Sequence, residues 1–254
     1  MPRDDVEYER LVFNLSKMEA PSNEYVCWLD VMGSRNIMRR SMSFAANFVM
    51  KLHIACLSTL ESEPSMELYP MVDGVYVCNT NLVALLEYVR LVYRKLAMEF
   101  VSEKNPLYRF MVRGGVSFGP VIKQPDFADC SEVLAEHEEY CKRIFLGITL
   151  SQSYDKEREA PPFGIVMDDS VSAFGKLGAR PFAGVYWRWW SRESKDGFDD
   201  RTLVKRLSES LEEYYNWCEV HSYAIGYKPD RIANHRLLMA EYFSEESEWP
   251  ASKA

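Results

Sequence analysis

Residues 25–34 read Tyr25-Val26-Cys27-Trp28-Leu29-Asp30-Val31-Met32-Gly33-Ser34. The run is rich in β-branched and aromatic residues, which predicts a buried strand over 24–30 that ends in a carboxylate. A charge at the end of a buried strand is costly unless something pairs with it. The chain then passes through Gly33-Ser34 into a long amphipathic stretch. Backbone N–H groups at the N-terminus of a helix favour an anion there.

A second aspartate stands in a similar place, in Leu68-Tyr69-Pro70-Met71-Val72-Asp73-Gly74-Val75-Tyr76-Val77. This pattern predicts strands at 66–72 and 74–79 with Asp73 at the hairpin. Asp-Gly between two apolar runs is also an ordinary turn signal, so a turn role for Asp73 stays open beside a metal role. Two carboxylates on neighbouring strands suggest a shared Mg²⁺ or Mn²⁺ ion. Carboxylates for a metal beside N–H groups for phosphate fit a nucleoside triphosphate.

The composition is that of an acidic globular protein, with 254 residues, 47% hydrophobic content and a net charge of −8. One domain with additions is the simplest expectation. No basic stripe is present, so nucleic acid is not an expected partner. Six cysteines without a Cys-x-x-Cys pair and the lack of a signal-peptide pattern predict a cytoplasmic protein. No run reads as long and apolar enough to span a bilayer, so no membrane is expected as a partner. The four histidines lack zinc-type spacing and are taken as structural.

Hydrophobic periodicity predicts an alternation of strands and helices. After the first strand a helix is predicted over 35–60, and after the hairpin a second helix over 81–102. A strand over 108–121 contains interior glycines, which mark a bulge or a close backbone approach. Further elements are predicted as a helix over 132–158 with a break near Gly147, strands at 163–167 and 184–190, and helices near 201–220 and 230–246.

The order β-α-β-β-α-β is that of a ferredoxin-like α+β sandwich. We divide the chain into an N-terminal arm (1–23), a catalytic domain (24–190) and a C-terminal helical extension (191–254).

Four motifs in this order resemble those of the class III nucleotidyl cyclases. Those enzymes carry Asp-Ile-x-Gly-Phe on the first strand, Asp in a hairpin downstream, Arg-x-Gly-hydrophobic-x-x-Gly-Pro-Val on the following strand, and Gly-x-x-hydrophobic before a helix. The matching segments are Asp30-Val31-Met32-Gly33-Ser34, Val72-Asp73-Gly74-Val75, Arg113-Gly114-Gly115-Val116-Ser117-Phe118-Gly119-Pro120-Val121 and Phe145-Leu146-Gly147-Ile148-Thr149-Leu150. The resemblance covers roughly residues 24–168.

The resemblance implies a metal-dependent intramolecular phosphoryl transfer. Asp30, Asp73 and the Val31 carbonyl would hold two Mg²⁺ or Mn²⁺ ions. One ion would lower the pKa of the ribose 3′-OH and the other would neutralise the triphosphate. Backbone N–H groups of the loop that follows would bind phosphate oxygens, at Met32, Gly33 and Ser34.

The same resemblance implies a homodimer, because class III sites lie between two head-to-tail catalytic domains and this chain carries one. Arg113 would serve the phosphates, or would brace its strand; both roles stay open.

The sequence departs from the family at the positions that read a purine base. Tyr69 stands where purine cyclases have Lys or Glu, and Ile144 stands where they have Asp or Cys. The Asn and Arg of the later helix are replaced by Ser151 and Asp155, so the usual transition-state Arg is absent from its place. Candidates to replace it are Arg35, Lys142, Arg143 and Arg158.

A tyrosine in an altered base pocket is similar to the stand-alone pyrimidine cyclases of bacterial antiphage defence, the Pycsar systems. That resemblance implies UTP as the favoured substrate, CTP as the alternative, and a cyclic product that activates a separate effector protein. The plain alternative for Tyr69 is a half-buried strand aromatic.

Two rival functions remain. One is a purine cyclase with an unusual pocket. The other is a degenerate cyclase-like sensor or dimerisation module, which the missing Asn and Arg favour and the two retained aspartates oppose. A diguanylate-cyclase-like domain is discounted because its Gly-Gly-Asp/Glu-Glu-Phe signature is absent.

Overall fold

The computed structural model describes residues 11–173, 186–191 and 197–244. Its strands are β1 (Ser22–Val31), β2 (Glu67–Met71), β3 (Gly74–Asn79), β4 (Val112–Lys123), β5 (Phe145–Leu146), β6 (Ile165–Met167) and β7 (Tyr186–Trp187). Its α-helices are α1 (Ser34–Arg40), α2 (Met42–Leu60), α3 (Leu82–Ser102), α4 (Glu132–Ala135), α5 (Glu138–Cys141), α6 (Ile148–Glu157), α7 (Ser170–Ala173), α8 (Asp200–Ile225) and α9 (Pro229–Phe243).

The strands form one mixed sheet in the order β2-β3-β1-β4-β6-β7, with β5 paired to β4. The central strand β1 is antiparallel to both β3 and β4. β2 and β3 form a hairpin, and β4 is parallel to β6. The first four strands, with α1–α2 and α3 as connections, follow the ferredoxin-like path. The predicted α+β fold is therefore confirmed, with the C-terminal helices α8 and α9 added to it.

The two faces of the sheet are covered unequally. Tyr25, Cys27 and Leu29 of β1 enter the main core, which also contains residues of α2, α3, α8 and α9. The alternate residues Val26 and Trp28 point to the opposite face, where a smaller apolar cluster lies beside α6. Because side chains alternate along a strand, Asp30 belongs to this second face.

One predicted helix is interrupted, and another, predicted with a break near Gly147, has that break but is not helical over much of the part before it. The predicted helix 35–60 divides at Ser41, whose extended backbone ends α1 and whose hydroxyl accepts the N–H of Phe44 to cap α2. The predicted helix 132–158 was wrong over much of its length. It consists of the single turns α4 and α5, then β5, and only then α6, because the extended backbone of Gly147 separates α6 from a strand that pairs with β4.

Strand ends also differ from expectation. β4 begins at Val112 rather than at 108, after a 3-10 turn over Pro106–Tyr108. β7 contains Tyr186–Trp187 of the predicted strand 184–190, while residues 184 and 185 lie outside the described residues. Parts of the predicted arm (1–10) and of the predicted extension (192–196 and 245–254) lie outside them as well.

Helix α2 is long and apolar enough, by length and composition, to cross a membrane, so the prediction that no run reaches this limit was wrong. One side of α2 is buried in the main core through Phe48 and Leu52. Met50, Ile54 and Leu57 on α2 are exposed. All six cysteines of the chain are free and buried.

The C-terminal helices are part of the main core rather than an appendage. Asp200, at the start of α8, is buried and receives charge-assisted hydrogen bonds from two arginines of α3. Arg90 Nη1 lies 2.5 Å from Asp200 Oδ2, and Arg94 Nε lies 2.7 Å from Asp200 Oδ1. These paired charges fix α8 against α3, because a buried carboxylate without them would be strongly destabilising.

Candidate active site

Asp30, Asp73 and Arg113 lie close together at one end of the strands β1, β3 and β4. In the strand register Asp30 lies opposite Gly74 of β3 and opposite Arg113 of β4. Asp73 directly precedes Gly74 in the β2–β3 turn. The charges of Asp73 and Arg113 both act on Asp30. The two predicted metal ligands and the predicted phosphate ligand are thus neighbours on the face that α6 partly covers.

Asp73 ties the hairpin turn to the loop that follows β1. Its Oδ2 accepts a hydrogen bond from the hydroxyl of Ser34, the buried first residue of α1. Gly33 has φ 76, a left-handed conformation that glycine adopts at little cost. Val72 in the hairpin turn also has positive φ, at 43, which is strained for a β-branched residue. Strain of this kind persists only where the surroundings enforce it, here beside Asp73.

Two glycines allow bulky groups to approach the strands. A Cβ on Gly74 would lie 2.4 Å from the ring of Trp28, so the indole covers this position. A Cβ on Gly115 would lie 2.1 Å from the carbonyl oxygen of Ser153 and 2.4 Å from the nitrogen of Glu157. The close backbone approach predicted from the interior glycines of β4 is confirmed, and the approaching element is α6.

Glu157 is a site residue that the sequence reasoning missed. It is the last residue of α6, only 2% exposed, and it forms an ion pair with Arg113 Nε. Its carboxylate also interacts with that of Asp30, since the charge of Glu157 raises the pKa of Asp30. Thr149, Ser153 and Glu157 recur every four residues, so a helical reading that began at Gly147 would have placed all three on one face, towards the glycines of β4.

Three carboxyl groups, those of Asp30, Asp73 and Glu157, lie near one another, and we call them the carboxyl cluster. Arg113 pairs with Glu157, which leaves the other two without an ion-pair partner of their own among the described residues. Burial raises the pKa of Asp30 to about 8, and the nearby charges of Glu157 and Asp73 add to this effect while Arg113 opposes it. Burial also raises the pKa of Glu157 against the lowering influence of Arg113. Such an excess of negative charge favours either protons or an added cation.

This donor set fits a hard divalent cation. Asp30 and Asp73 offer carboxylate oxygens, which Mg²⁺ and Mn²⁺ prefer. Val31, the predicted carbonyl ligand, ends β1 and pairs with Val112. No group of three or more His, Cys, Asp or Glu side chains forms a complete metal cage in the described part of the chain. A site that also uses a backbone carbonyl and substrate oxygens needs no such cage.

The predicted base-reading pair is not brought together. The ring of Tyr69 stacks on Phe145, with centroids 4.2 Å apart, and its hydroxyl donates to Glu67 Oε2 at 2.9 Å. Burial, with the charge of Glu67, raises the pKa of Tyr69. Ile144 packs instead in a separate apolar cluster with Phe127. Phe145, which the sequence reasoning missed, is the aromatic partner of Tyr69.

Tyr69 and Phe145 begin a row of five aromatic rings, which we call the aromatic wall: Tyr69, Phe145, Tyr76, Trp28 and Tyr154. Successive ring centroids after the first pair are 6.1, 4.4 and 6.2 Å apart. Trp28 stands two residues before Asp30, so the wall leads to the carboxyl cluster. The buried Nε1 of Trp28 has no hydrogen-bond partner among the described residues.

The four residues that could replace the missing transition-state Arg lie in different places. Arg158 directly follows Glu157, and its carbonyl accepts a hydrogen bond from Arg113 Nη1 at 3.3 Å. Lys142 is paired with Glu138 and Glu139. Arg35 and Arg143 are exposed, on α1 and before β5 respectively. Arg158 is therefore the candidate that the chain puts beside Arg113.

Comparisons with known proteins show similarity of the backbone fold alone. No family model matches the chain, and no curated protein matches it in sequence. A bacterial light-regulated adenylyl cyclase has a TM-score of 0.49 at 14% identity, over 76% of this chain and 59% of that one. The guanylyl cyclase domain of the RhoGC fusion protein from Blastocladiella emersonii has 0.45 at 13%, over 62% and 85%.

Adenylate cyclases from Trypanosoma brucei, in their monomeric state, have a TM-score of 0.44 at 12% identity, over 63% of this chain and 77% of theirs. Scores and identities of this size describe a similar path of the backbone and carry no argument about function.

Proposed function

We propose that this protein is a metal-dependent nucleotidyl cyclase, which converts a nucleoside triphosphate into a 3′,5′-cyclic monophosphate and pyrophosphate. The observation that carries the proposal is the link between Asp30, Asp73 and Ser34. It joins a carboxylate pair suited to a cation with a helix-initiating loop suited to phosphate.

In this proposal the triphosphate lies along the loop of Met32, Gly33 and Ser34, where the backbone N–H groups of Gly33 and Ser34 bind its oxygens. The N–H of Met32, the third predicted phosphate donor, is already donated to the carbonyl oxygen of Met111. The ribose 3′-oxygen attacks the α-phosphorus, the bond from this phosphorus to the α–β bridging oxygen breaks, pyrophosphate leaves with that oxygen, and the 3′-OH proton passes to water. Bound Mg²⁺ or Mn²⁺, two ions per site on Asp30, Asp73 and the Val31 carbonyl, supplies charge neutralisation and a more acidic 3′-OH.

Arg113 is the protein cation nearest to these carboxylates, and its role is to stabilise charge on the phosphates. Its ion pair with the buried Glu157 fixes the guanidinium, which lowers the entropy lost when an anion binds. Arg158 beside it is our candidate for the missing transition-state cation.

For the base we propose a pyrimidine, with UTP favoured and CTP as the alternative. Tyr69 and Phe145 fill space at the start of the aromatic wall, which favours a smaller base and offers a surface for stacking. The resulting cyclic UMP would act as a second messenger in antiphage defence, made in the cytoplasm and read by a separate effector.

We further propose that the working form is a homodimer with active sites at the interface. The face of the sheet that carries the site is only partly covered by α6. Leu146, Ile148 and Tyr154 are exposed there, beside the carboxyl cluster and the aromatic wall. A second copy of the chain would cover these apolar groups and exclude water from the site.

A second candidate function is a non-catalytic cyclase-like sensor or dimerisation module. The observation that favours it is that α6 presents the exposed Ser151 and Asp155 where the resemblance expects Asn and Arg.

One experiment separates the two candidates. Purified protein is incubated with the four nucleoside triphosphates at equal concentration and Mn²⁺, and the products are identified by mass. We expect cyclic UMP to dominate. A dominant purine product would overturn the pyrimidine specificity alone, and no cyclic product would favour the sensor.

Asp30→Ala and Asp73→Ala are expected to lower turnover at least about 100-fold while the protein stays folded, since each removes a metal ligand. Asp169→Ala, at an exposed aspartate away from the site, is the matched control and should retain wild-type turnover. Near wild-type turnover of either site variant at saturating Mn²⁺ would contradict the assignment.

A further inference from the structure

The junction between α8 and α9 lies beside α1, the helix that follows the loop of Met32, Gly33 and Ser34. Gly226 ends α8 with φ 65, and a Cβ there would lie 3.7 Å from Cδ of Arg40 on α1. Tyr227 packs against the main core. The charge of Arg113 reaches this junction too, since it helps to lower the pKa of His235, which burial chiefly brings to about 4.

The hydroxyls of two tyrosines of this region carry contacts. Nδ1 of His235 contacts the hydroxyl of Tyr227. The hydroxyl of the fully buried Tyr215, on α8, donates to the sulfur of Met111 at 3.3 Å. A hydroxyl has one proton to donate, so the contact with Met111 uses that of Tyr215.

Met111 also contacts the loop of Met32, Gly33 and Ser34. The carbonyl oxygen of Met111 accepts the N–H of Met32 at 2.9 Å. Met32 lies between the metal-ligand candidates and Gly33, and it is 7% exposed. Tyr215 is fully buried, and its hydroxyl reaches the candidate site through Met111.

We propose that Tyr215 is a positioning residue, which holds Met111 and through it the loop of Met32, Gly33 and Ser34 in the geometry that binds phosphate. The C-terminal helices thereby set the shape of the site. Loss of the hydroxyl removes the hydrogen bond that holds the flexible Met111 side chain, so this side chain and the backbone carbonyl that accepts the N–H of Met32 gain freedom to move. The consequence for catalysis rests on the proposed function, but the consequence for the loop does not.

The test is Tyr215→Phe, which removes one oxygen atom and keeps the ring. Tyr88→Phe is the matched control, because Tyr88 is also fully buried and its hydroxyl donates to the carbonyl of Cys56, at the far end of α2, at 2.7 Å. Amide hydrogen exchange is measured for the peptide that contains residues 31–36. We expect exchange there to accelerate about tenfold in Tyr215→Phe and to stay unchanged in Tyr88→Phe.

With the triphosphate substrate, Tyr215→Phe should raise KM about tenfold with a smaller effect on kcat, since a ground-state binding loop is loosened. Met111→Leu, which removes the sulfur acceptor at nearly constant volume, should change loop exchange in the same direction and decides the matter if Tyr215→Phe does not fold. Unchanged exchange in the loop, or equal acceleration in the Tyr88→Phe control, would overturn the proposal. Absence of any cyclic product from the wild type would reject the proposed function, while loop exchange would still decide the role of Tyr215.

Discussion

Single glycines decide what can lie against the central strands. The interior glycines of β4 predicted a close approach from the sequence, and Gly115 shows why: its missing side chain admits the backbone of α6 at Ser153 and Glu157. That approach delivers Glu157 to Arg113 and Asp30. A residue without a side chain thus helps to place three charged ones.

Gly115→Ala is therefore expected to damage the site through α6. The new Cβ would meet backbone atoms at 2.1 and 2.4 Å, which cannot rotate away, so α6 must move off β4. Overpacking of this kind costs about 1–3 kcal/mol. Urea unfolding should show that loss, and cyclic nucleotide production should fall with the displacement of Glu157.

Gly119→Ala on the same strand is the control for this change. Its Cβ would meet the hydroxyl of Thr149, at 2.9 Å, and no backbone atom of α6. Displacing this hydroxyl costs at most the hydrogen bond that it donates to the carbonyl oxygen of Pro120. We expect a smaller loss of stability and retained activity. Gly115→Ala with wild-type stability and activity would show that the contact with α6 does not support the site.

The aspartates of the site could be predicted because each ends an apolar run, a signal local to a few residues. Glu157 could not be found in the same way, since its burial depends on which helix packs on Gly115. The pairing of Tyr69 with Ile144 fails because a neighbouring residue takes the place of Ile144. Ile144 precedes β5 and packs in the cluster of Phe127, whereas Phe145, the first residue of β5, packs against Tyr69.

Among the elements, those with strong local signals were predicted closely. Helix α3, predicted over 81–102, runs from Leu82 to Ser102 because Asn81 caps it by accepting the N–H groups of Val83 and Ala84. Within residues 132–158 the predicted break near Gly147 is confirmed, but the division of the part before it into α4, α5 and β5 has no plain signal in the sequence. This division is set by the pairing of β5 with β4, a tertiary contact that periodicity does not report.

Helix α9 should give the protein a distinct loss of stability in mild acid. Burial lowers the pKa of His235 from 6.5 to about 4, with the charges of Arg113 and Arg231 adding to it and the Tyr227 hydroxyl in contact with its ring. Below pH 6.5 the unfolded chain binds a proton that the folded chain does not, so this contribution is complete above 6.5 and is lost as the pH falls towards 4. The expected loss at about pH 5 is about 2 kcal/mol.

Urea unfolding at about pH 7.5 and about pH 5 measures this loss. His235→Asn keeps a polar group near the position of Nδ1 but does not titrate. The loss of its unfolding free energy between about pH 7.5 and about pH 5 should therefore be smaller than that of the wild type by about 2 kcal/mol. His137→Asn, at an exposed position, should behave as the wild type. An equal pH dependence in wild type and His235→Asn would exclude His235 as the source.

At the scale of the whole molecule, the sheet has one face closed by the main core and one face left partly open. The open face carries the carboxyl cluster, the aromatic wall and exposed apolar groups of α6 and β5. The net charge of −8 gives an anionic substrate no general attraction, so local cations and a bound metal must supply it. A second copy that closes this face would make each site from both chains.

This arrangement predicts complementation between two inactive variants. If each site takes its metal carboxylates from one copy and its base contacts from the other, Asp30→Ala and Tyr69→Ala damage different halves of a site. An equimolar mixture should recover roughly a quarter of wild-type activity, because half of the dimers are mixed and each has one intact site of two. A mixture of Asp30→Ala with Asp73→Ala should recover none, since both residues belong to the same half. Recovery absent from the first mixture, or full activity in a monomer at nanomolar concentration, would place a complete site within one chain.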